Sequence, residues 1–185
     1  IDALFDLLEK VREKTEIPLV FLTYANPIFT YGREAFFTRC AKASIDGVIV
    51  PDVPFEERAT LLPFAREKGI ALISLIAPTS HERVQMLARE AEGYIYLVSS
   101  MGVTGVREKI TTDLKEIVEK IREVSNQPVA VGFGIARPEQ AAQMADISDG
   151  AIVGSAIVKL VAKYGKTAVG PVRDYVLSMV EAVRV

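Results

Sequence analysis

Ile45-Asp46-Gly47-Val48-Ile49-Val50 and Ser148-Asp149-Gly150-Ala151-Ile152-Val153 repeat one pattern, and their aspartates, at positions 46 and 149, lie 103 residues apart. Each is a short apolar run of the kind that forms a strand buried on both faces of a parallel sheet. About four strand-helix units of roughly 26 residues fit into that offset, and four units are half of an eight-unit barrel. The echo therefore favours a TIM-type (β/α)8 barrel over a doubly wound open sheet. The plain alternative is that any two buried strands rich in Gly, Val and Ile look alike.

Working outward, the same kind of run recurs at Pro18–Thr23, Ala71–Ile76, Tyr94–Val98 and Pro128–Val131. With the two echoed runs, Gly47–Val50 and Gly150–Val153, this predicts six strands. Helical patterns follow them, beginning near Tyr31, Phe55, Ser80, Thr112 and Pro138. Gly69 and Gly93 end helices, and Ser80 reads as an N-cap before a polar first turn. At the start of the chain Ile1, Leu4, Leu7, Leu8 and Val11 form the apolar stripe of a helix already under way, with Glu9, Lys10, Arg12 and Glu13 on its wet face. A sequence that opens inside a helical pattern predicts residues upstream of it. A closed barrel needs eight strands and about 200 or more residues. Six parallel strands would leave two edges open, which native sheets avoid. The expectation is a single domain over residues 1–185, a partial barrel lacking about two N-terminal βα units.

Composition narrows the chemistry. In 185 residues, 22 Lys plus Arg face 24 Asp plus Glu, a net charge of −2. With a pI near 5.6 there is no positive excess to bind nucleic acid or an anionic membrane. Cys40 is the only cysteine, which excludes an internal disulfide and a multi-cysteine zinc site and fits a reducing cytoplasm. His81 is the only histidine, which excludes a multi-histidine metal site and is read as a surface residue. The most apolar stretch, Ile70–Pro78, falls far short of the roughly 20 residues a bilayer span requires, so a soluble protein is expected.

The loops that follow the strands carry the candidate chemistry, because active sites of β/α barrels form at the strands' C-terminal ends. Ser99-Ser100-Met101-Gly102-Val103-Thr104-Gly105 is long and glycine-containing, and loops of that kind are usually functional. Gly132-Phe133-Gly134-Ile135 and Gly154-Ser155-Ala156-Ile157 are small-residue turns into helices. Bare N–H groups at such turns attract phosphate, and barrels often place that site after their last two strands. Close strand-to-helix packing is the alternative. Asp52, in Val50-Pro51-Asp52-Val53-Pro54, is either a base or the cap of a helix at Phe55, and the supporting role is favoured. Tyr24-Ala25-Asn26-Pro27-Ile28-Phe29 reads as a loop with an apolar tip, which is either a partner surface or folded onto its own barrel. Cys40, beside Phe36, Phe37 and Ala41, reads as a buried thiol.

Taken in order, Leu22-Thr23-Tyr24-Ala25-Asn26-Pro27, Val50-Pro51-Asp52-Val53-Pro54, Ala77-Pro78-Thr79, Gly102-Val103-Thr104-Gly105, Gly132-Phe133-Gly134-Ile135 before Pro138-Glu139-Gln140, and Gly154-Ser155-Ala156-Ile157-Val158 resemble the tryptophan synthase alpha subunit family. The resemblance runs from that family's third barrel strand to its last helix. It implies retro-aldol cleavage of indole-3-glycerol phosphate to indole and glyceraldehyde 3-phosphate, with indole passed to a beta subunit that holds pyridoxal phosphate. No cofactor is implied in the alpha subunit itself. It further implies that Gly105, Gly134, Gly154 and Ser155 hold the substrate phosphate. Leu22, Ile49, Leu75, Tyr96 and Phe133 would line the indole pocket, and Thr104 would close the loop over the site. Asn26, Pro27, Phe29 and Pro54 would face the beta subunit. The family's acid-base glutamate and its loop aspartate have no counterpart in these 185 residues, so the resemblance implies no catalytic residue in this chain, with Asp52 a candidate for a supporting role only. The resemblance thus implies a binding half-site, or a non-catalytic partner that docks on and stimulates a beta subunit. Another phosphate-binding barrel would share the last two glycine turns but not the Gly102–Gly105 loop.

Overall fold

A computed structural model describes residues 1–78, 81–99, 107–132 and 134–184 of the chain. It divides into two compact units, Ile1–Leu75 with Ala91–Gly93, and Ile76–Glu90 with Tyr94–Val185. In the first, α1 (Asp2–Arg12) leads to β1 (Val20–Leu22), α2 (Ala25–Tyr31), α3 (Arg33–Lys42) and β2 (Gly47–Ile49). A 3-10 turn at Phe55–Thr60, α4 (Leu62–Glu67) and β3 (Ala71–Leu72) follow. The strands are parallel in the order β1-β2-β3, with Val20 opposite Gly47, Leu22 opposite Ile49, and Gly47 opposite Ala71. Side chains alternate along a strand, so Phe21 packs edge-on against Phe5 of α1 at 5.5 Å, whereas Val20 and Leu22 lie on the opposite, exposed face. Phe36, Phe37 and Cys40 of α3 complete that core with Val48, Leu61 and Ala65.

The four-stranded sheet has the order β4-β5-β6-β7, built from β4 (Ser74–Ile76), β5 (Ile95–Val98), β6 (Val129–Gly132) and β7 (Gly150–Ile152). Both β5 and β7 run parallel to β6. The helices of this part are α5 (His81–Arg89), α6 (Arg107–Arg122), α7 (Pro138–Ala145), α8 (Ser155–Tyr164) and α9 (Val169–Val183). Ile95, Leu97, Val129 and Val131 are fully buried, as are Leu114, Val118 and Ile121 of α6 and Met144 of α7. Among the described residues, no helix is long and apolar enough to cross a membrane.

Four expected boundaries change. The run Ala71–Ile76 is two strands, because Ile73 still donates to the Val48 carbonyl at 2.9 Å while Ser74 opens a strand of the other sheet. The expected loop Tyr24–Phe29 is largely helix α2, which ends where Gly32 takes a φ of +90°; a side chain is strained there and glycine is not. The helix expected from Phe55 begins as a 3-10 turn and restarts as α4. Pro63, without an N–H, fits only the first turn of a new helix. Helix α6 begins at Arg107, earlier than Thr112. The cap expected at Ser80 lies outside the described residues, as does the side chain of His81.

The two echoed aspartates do the same work. Asp46 accepts the Leu19 N–H at 2.7 Å and Arg12, from the last turn of α1, at 3.0 Å. Asp149 accepts the Val129 N–H at 2.8 Å and Arg122, the last residue of α6, at 3.1 Å. A third carboxylate, Glu92, accepts Arg66 of α4 at 2.6 Å and, at a longer 3.4 Å, the Leu72 N–H. In each case a carboxylate collects a backbone N–H at or next to the start of a strand and an arginine from the last turn of the helix before that strand.

Candidate functional site

The strands' C-terminal ends position most of the expected residues. In the first unit the ladder register sets Leu22 against Ile49, and Thr23 extends it by donating to the Ile49 carbonyl at 3.0 Å. Ile49 is buried, and Leu22 is 62% exposed. Leu75, on β4, is an exposed apolar side chain. Asp52 does not cap the segment at Phe55, whose turn has no side-chain cap. Instead both of its carboxylate oxygens accept the N–H of Ala25, the first residue of α2, at 3.0 and 3.2 Å. Asn26, Phe29 and Pro54 are exposed, Pro27 is half-buried, and Ile28 anchors α2 with no exposure at all. The Arg33 guanidinium lies over the Phe29 ring at 5.7 Å and the Phe64 ring at 5.1 Å.

In the second unit Tyr96 is half-buried on β5, and burial pushes its phenol above the usual tyrosine range. It stands opposite Ala130, and its ring covers Gly132: a Cβ there would lie 2.4 Å from the Tyr96 hydroxyl oxygen. Gly132 is paired with Ile152 in the β6-β7 ladder. Gly134 and Gly154 therefore each follow two residues beyond a matched pair. Gly134 has a φ of +78°, a conformation open mainly to glycine. The turn after it is held twice: Gln140 reaches back to the Ala136 and Arg137 N–H groups at 3.1 and 3.0 Å, and Tyr175 donates to the Ala136 carbonyl at 3.0 Å. Gly154 precedes α8 with open space where a Cβ would be, and Ser155 is the first helical residue and exposed. Ile157 and Val158 both donate to the Gly154 carbonyl, at 3.0 and 3.2 Å. The N–H groups of Ser155 and Ala156 belong to the first turn, where no intrahelical acceptor exists, and the positive end of the helix favours an anion there. Thr104, Gly105 and Phe133 lie outside the described residues. Among the described residues no group of His, Cys, Asp and Glu is placed to hold a metal.

Sequence reasoning missed the target of Asp52 and the ring over Gly132. Both depend on strand register, which local spacing does not carry.

Parallel strands joined by helices, with glycine turns following β6 and β7, make this a β/α protein, and its solved neighbours place it in the β/α-barrel class. Among them, a tryptophan synthase alpha subunit from Campylobacter jejuni superposes with a TM-score of 0.86 at 38% identity, over 99% of this chain and 71% of that one. A chain from the Pyrococcus furiosus α2β2 complex, a structure concerned with mutual activation, matches with a TM-score of 0.85 at 31% identity, over 96% of this chain and 72% of that one. The tryptophan synthase alpha chain family model matches residues 1–182. An alpha chain from Lactiplantibacillus plantarum is 51% identical over 176 residues, 95% of this chain and 66% of the relative. One from Lacticaseibacillus casei is 47% identical over 171 residues, 92% and 64% respectively. The chain belongs to the tryptophan synthase alpha chain family, and it spans about two thirds of the length of these curated relatives.

Proposed function

We propose that the chain supplies the phosphate- and indole-binding half of a tryptophan synthase alpha subunit in the cytoplasm. The reaction is that of a carbon-carbon lyase: indole-3-glycerol phosphate is cleaved to indole and glyceraldehyde 3-phosphate in the pathway that makes tryptophan. The alpha subunit needs no cofactor, and pyridoxal phosphate belongs to the beta subunit, which docks on Asn26, Pro27, Phe29 and Pro54. The observation that carries the reading is the pair of glycine turns, Gly134 in a left-handed conformation and Gly154 with Ser155 opening α8, on neighbouring parallel strands. Their N–H groups suit the phosphate dianion, with Gly105 completing the set. The family resemblance assigns the apolar contacts that indole needs to Leu22, Ile49, Leu75, Tyr96 and Phe133, and loop closure to Thr104.

Retro-aldol cleavage requires a proton at the indole ring carbon and a base for the glycerol hydroxyl. The side chains named here bind and orient; they do not supply that pair. A substitution at Gly154 tests the phosphate assignment. The open space there lets Gly154→Asp fold, and its carboxylate then accepts the first-turn N–H groups of α8 itself. Phosphate or an indole-phosphate analogue should bind at least about tenfold more weakly, with no loss of thermal stability. Unchanged affinity by titration calorimetry would place the anion elsewhere.

The second reading, a non-catalytic partner that stimulates a beta subunit, draws on the exposed Asn26, Phe29 and Pro54. Calorimetry with a beta subunit, set beside an indole-release assay, separates the two.

A further inference from the structure

The Pro51–Pro54 turn and α2 are joined by a single carboxylate. Helix α2 has seven residues, and Tyr24 before it gives no side-chain cap; so short a helix does not hold its own geometry. Its first residue is held by Asp52, whose two oxygens accept the Ala25 N–H at 3.0 and 3.2 Å. Ile28, fully buried, and Tyr31, packed against Phe5 and Phe36 and donating to Asp2, hold the middle and the end. The segments that carry Ala25 and Asp52 run side by side from the ladder. Leu22 faces Ile49, Thr23 donates to the Ile49 carbonyl, and three residues beyond Leu22 and Ile49 the chain closes again at Ala25 and Asp52. One closed frame thus has the apolar Leu22–Ile49 pair at its inner end. At its outer end stand the exposed Asn26, Phe29 and Pro54.

We propose that Asp52 is a positioning residue that locks the docking face of α2 to the Leu22–Ile49 pair, so that partner binding and the apolar lining are set by one carboxylate. The inference rests on the reading of that face as the beta-subunit dock. A carboxylate at a helix start is favoured by the free N–H groups and the positive helix end. Without it α2 keeps Ile28 and Tyr31 as anchors but loses the one at its first residue, and Asn26 and Phe29 lose their alignment with Pro54.

Asp52→Ala and Asp52→Asn in the 185-residue chain provide the test, read by amide hydrogen exchange of α2 and by titration calorimetry with a purified beta subunit. Asp52→Ala should speed exchange in α2 and weaken beta-subunit binding, each by about five- to tenfold, the effect of a lost helix cap. Asp52→Asn keeps one oxygen acceptor and should return both readouts to within about threefold of the unsubstituted chain. Faster exchange with unchanged binding in Asp52→Ala would reduce Asp52 to local support and overturn the proposal, as would unchanged exchange. If the unsubstituted chain itself fails to bind the beta subunit, the dock is wrong and the coupling falls with it. That result is distinct from a defect confined to the variants.

Discussion

At Gly132 there is no room for a methyl group. A Cβ would sit 2.4 Å from the Tyr96 hydroxyl oxygen and 2.5 Å from the ring carbon that bears it. Gly132→Ala should therefore cost about 1 to 3 kcal/mol, the usual range for overpacking a tight interior. Adding Tyr96→Leu, which removes the far edge of the ring, should recover part of that loss, as a double-mutant cycle of denaturant midpoints would register. Equal losses in single and double variants would mean that the ring is not the obstacle. Cys40 gives a second expectation. It is fully buried on α3, and burial pushes its thiol from 9.0 up to about 12. At pH 8 a thiol reagent should label it only as fast as the chain opens. The unfolded chain ionises this thiol near its ordinary value and the folded chain does not. The stability it contributes is thus complete below pH 9.0 and is lost as pH rises toward about 12. Thermal melts across that window should show a shallower decline in Cys40→Ala. The glycine at 132 and the buried cysteine were both legible from neighbouring residues. Tyr96 as the occupant of the space was not, because it comes from another strand.

Between elements, the recurring unit is the carboxylate that ties two strands and a helix end. Asp149 joins the Val129 N–H to Arg122, and Asp46 joins the Leu19 N–H to Arg12. The two bonds differ in worth. Arg122 and Asp149 are both about half exposed, so their ion pair contributes little. The strand N–H loses an ionised acceptor if the aspartate goes, a loss of about 1 to 3 kcal/mol. Asp149→Ala should accordingly lower the unfolding midpoint by several degrees, since 1 kcal/mol shifts a chain of this size by about 2 to 4 °C. Arg122→Met should move it by less than about 2 °C. Equal shifts would show that the arginine carries the contact. Arg12 is better buried than Arg122, so the same pair of substitutions at Asp46 and Arg12 should differ less. The Asp-Gly echo was visible in the sequence as a half-barrel period. Its partners were not, since Arg12 lies 34 residues from Asp46 and Arg122 lies 27 from Asp149. Glu92 escaped notice altogether because no Asp-Gly pair marks it. The break at Ile73 was hidden for a related reason: an unbroken apolar run does not reveal that its two halves serve different sheets.

For the molecule as a whole, the order of strands and helices was readable because each buried parallel strand is a short apolar run bounded by turn residues. The family followed from six loop motifs, and relatives about half as long again bear it out. What that family resemblance assigns to the chain is uneven. Apolar lining and glycine turns fall within the 185 residues, whereas the acid-base glutamate and loop aspartate have no match in them. Exposed apolar side chains point the same way: Val20 and Leu22 on β1 are uncovered, and α8, though rich in Ile, Val and Leu, buries none of its residues. Phosphate binding lowers a barrier only when the groups that act on the transition state are held in place as well. A polypeptide of these 185 residues alone should therefore release indole from indole-3-glycerol phosphate at least about 10² to 10⁴ times more slowly than a complete alpha chain, the usual loss for one missing acid-base group. Supplying the βα units that carry the two carboxylates, in the same chain or as a separate fragment, should restore turnover, because Gly134, Gly154 and Ser155, proposed to hold the phosphate, already stand just beyond β6 and at the start of α8. Indole release would be followed with a chain verified by intact mass. A rate comparable to that of a complete alpha chain would mean that the acid-base chemistry resides in these residues after all, and Asp52, the carboxylate in the turn that follows β2, would be the first to replace.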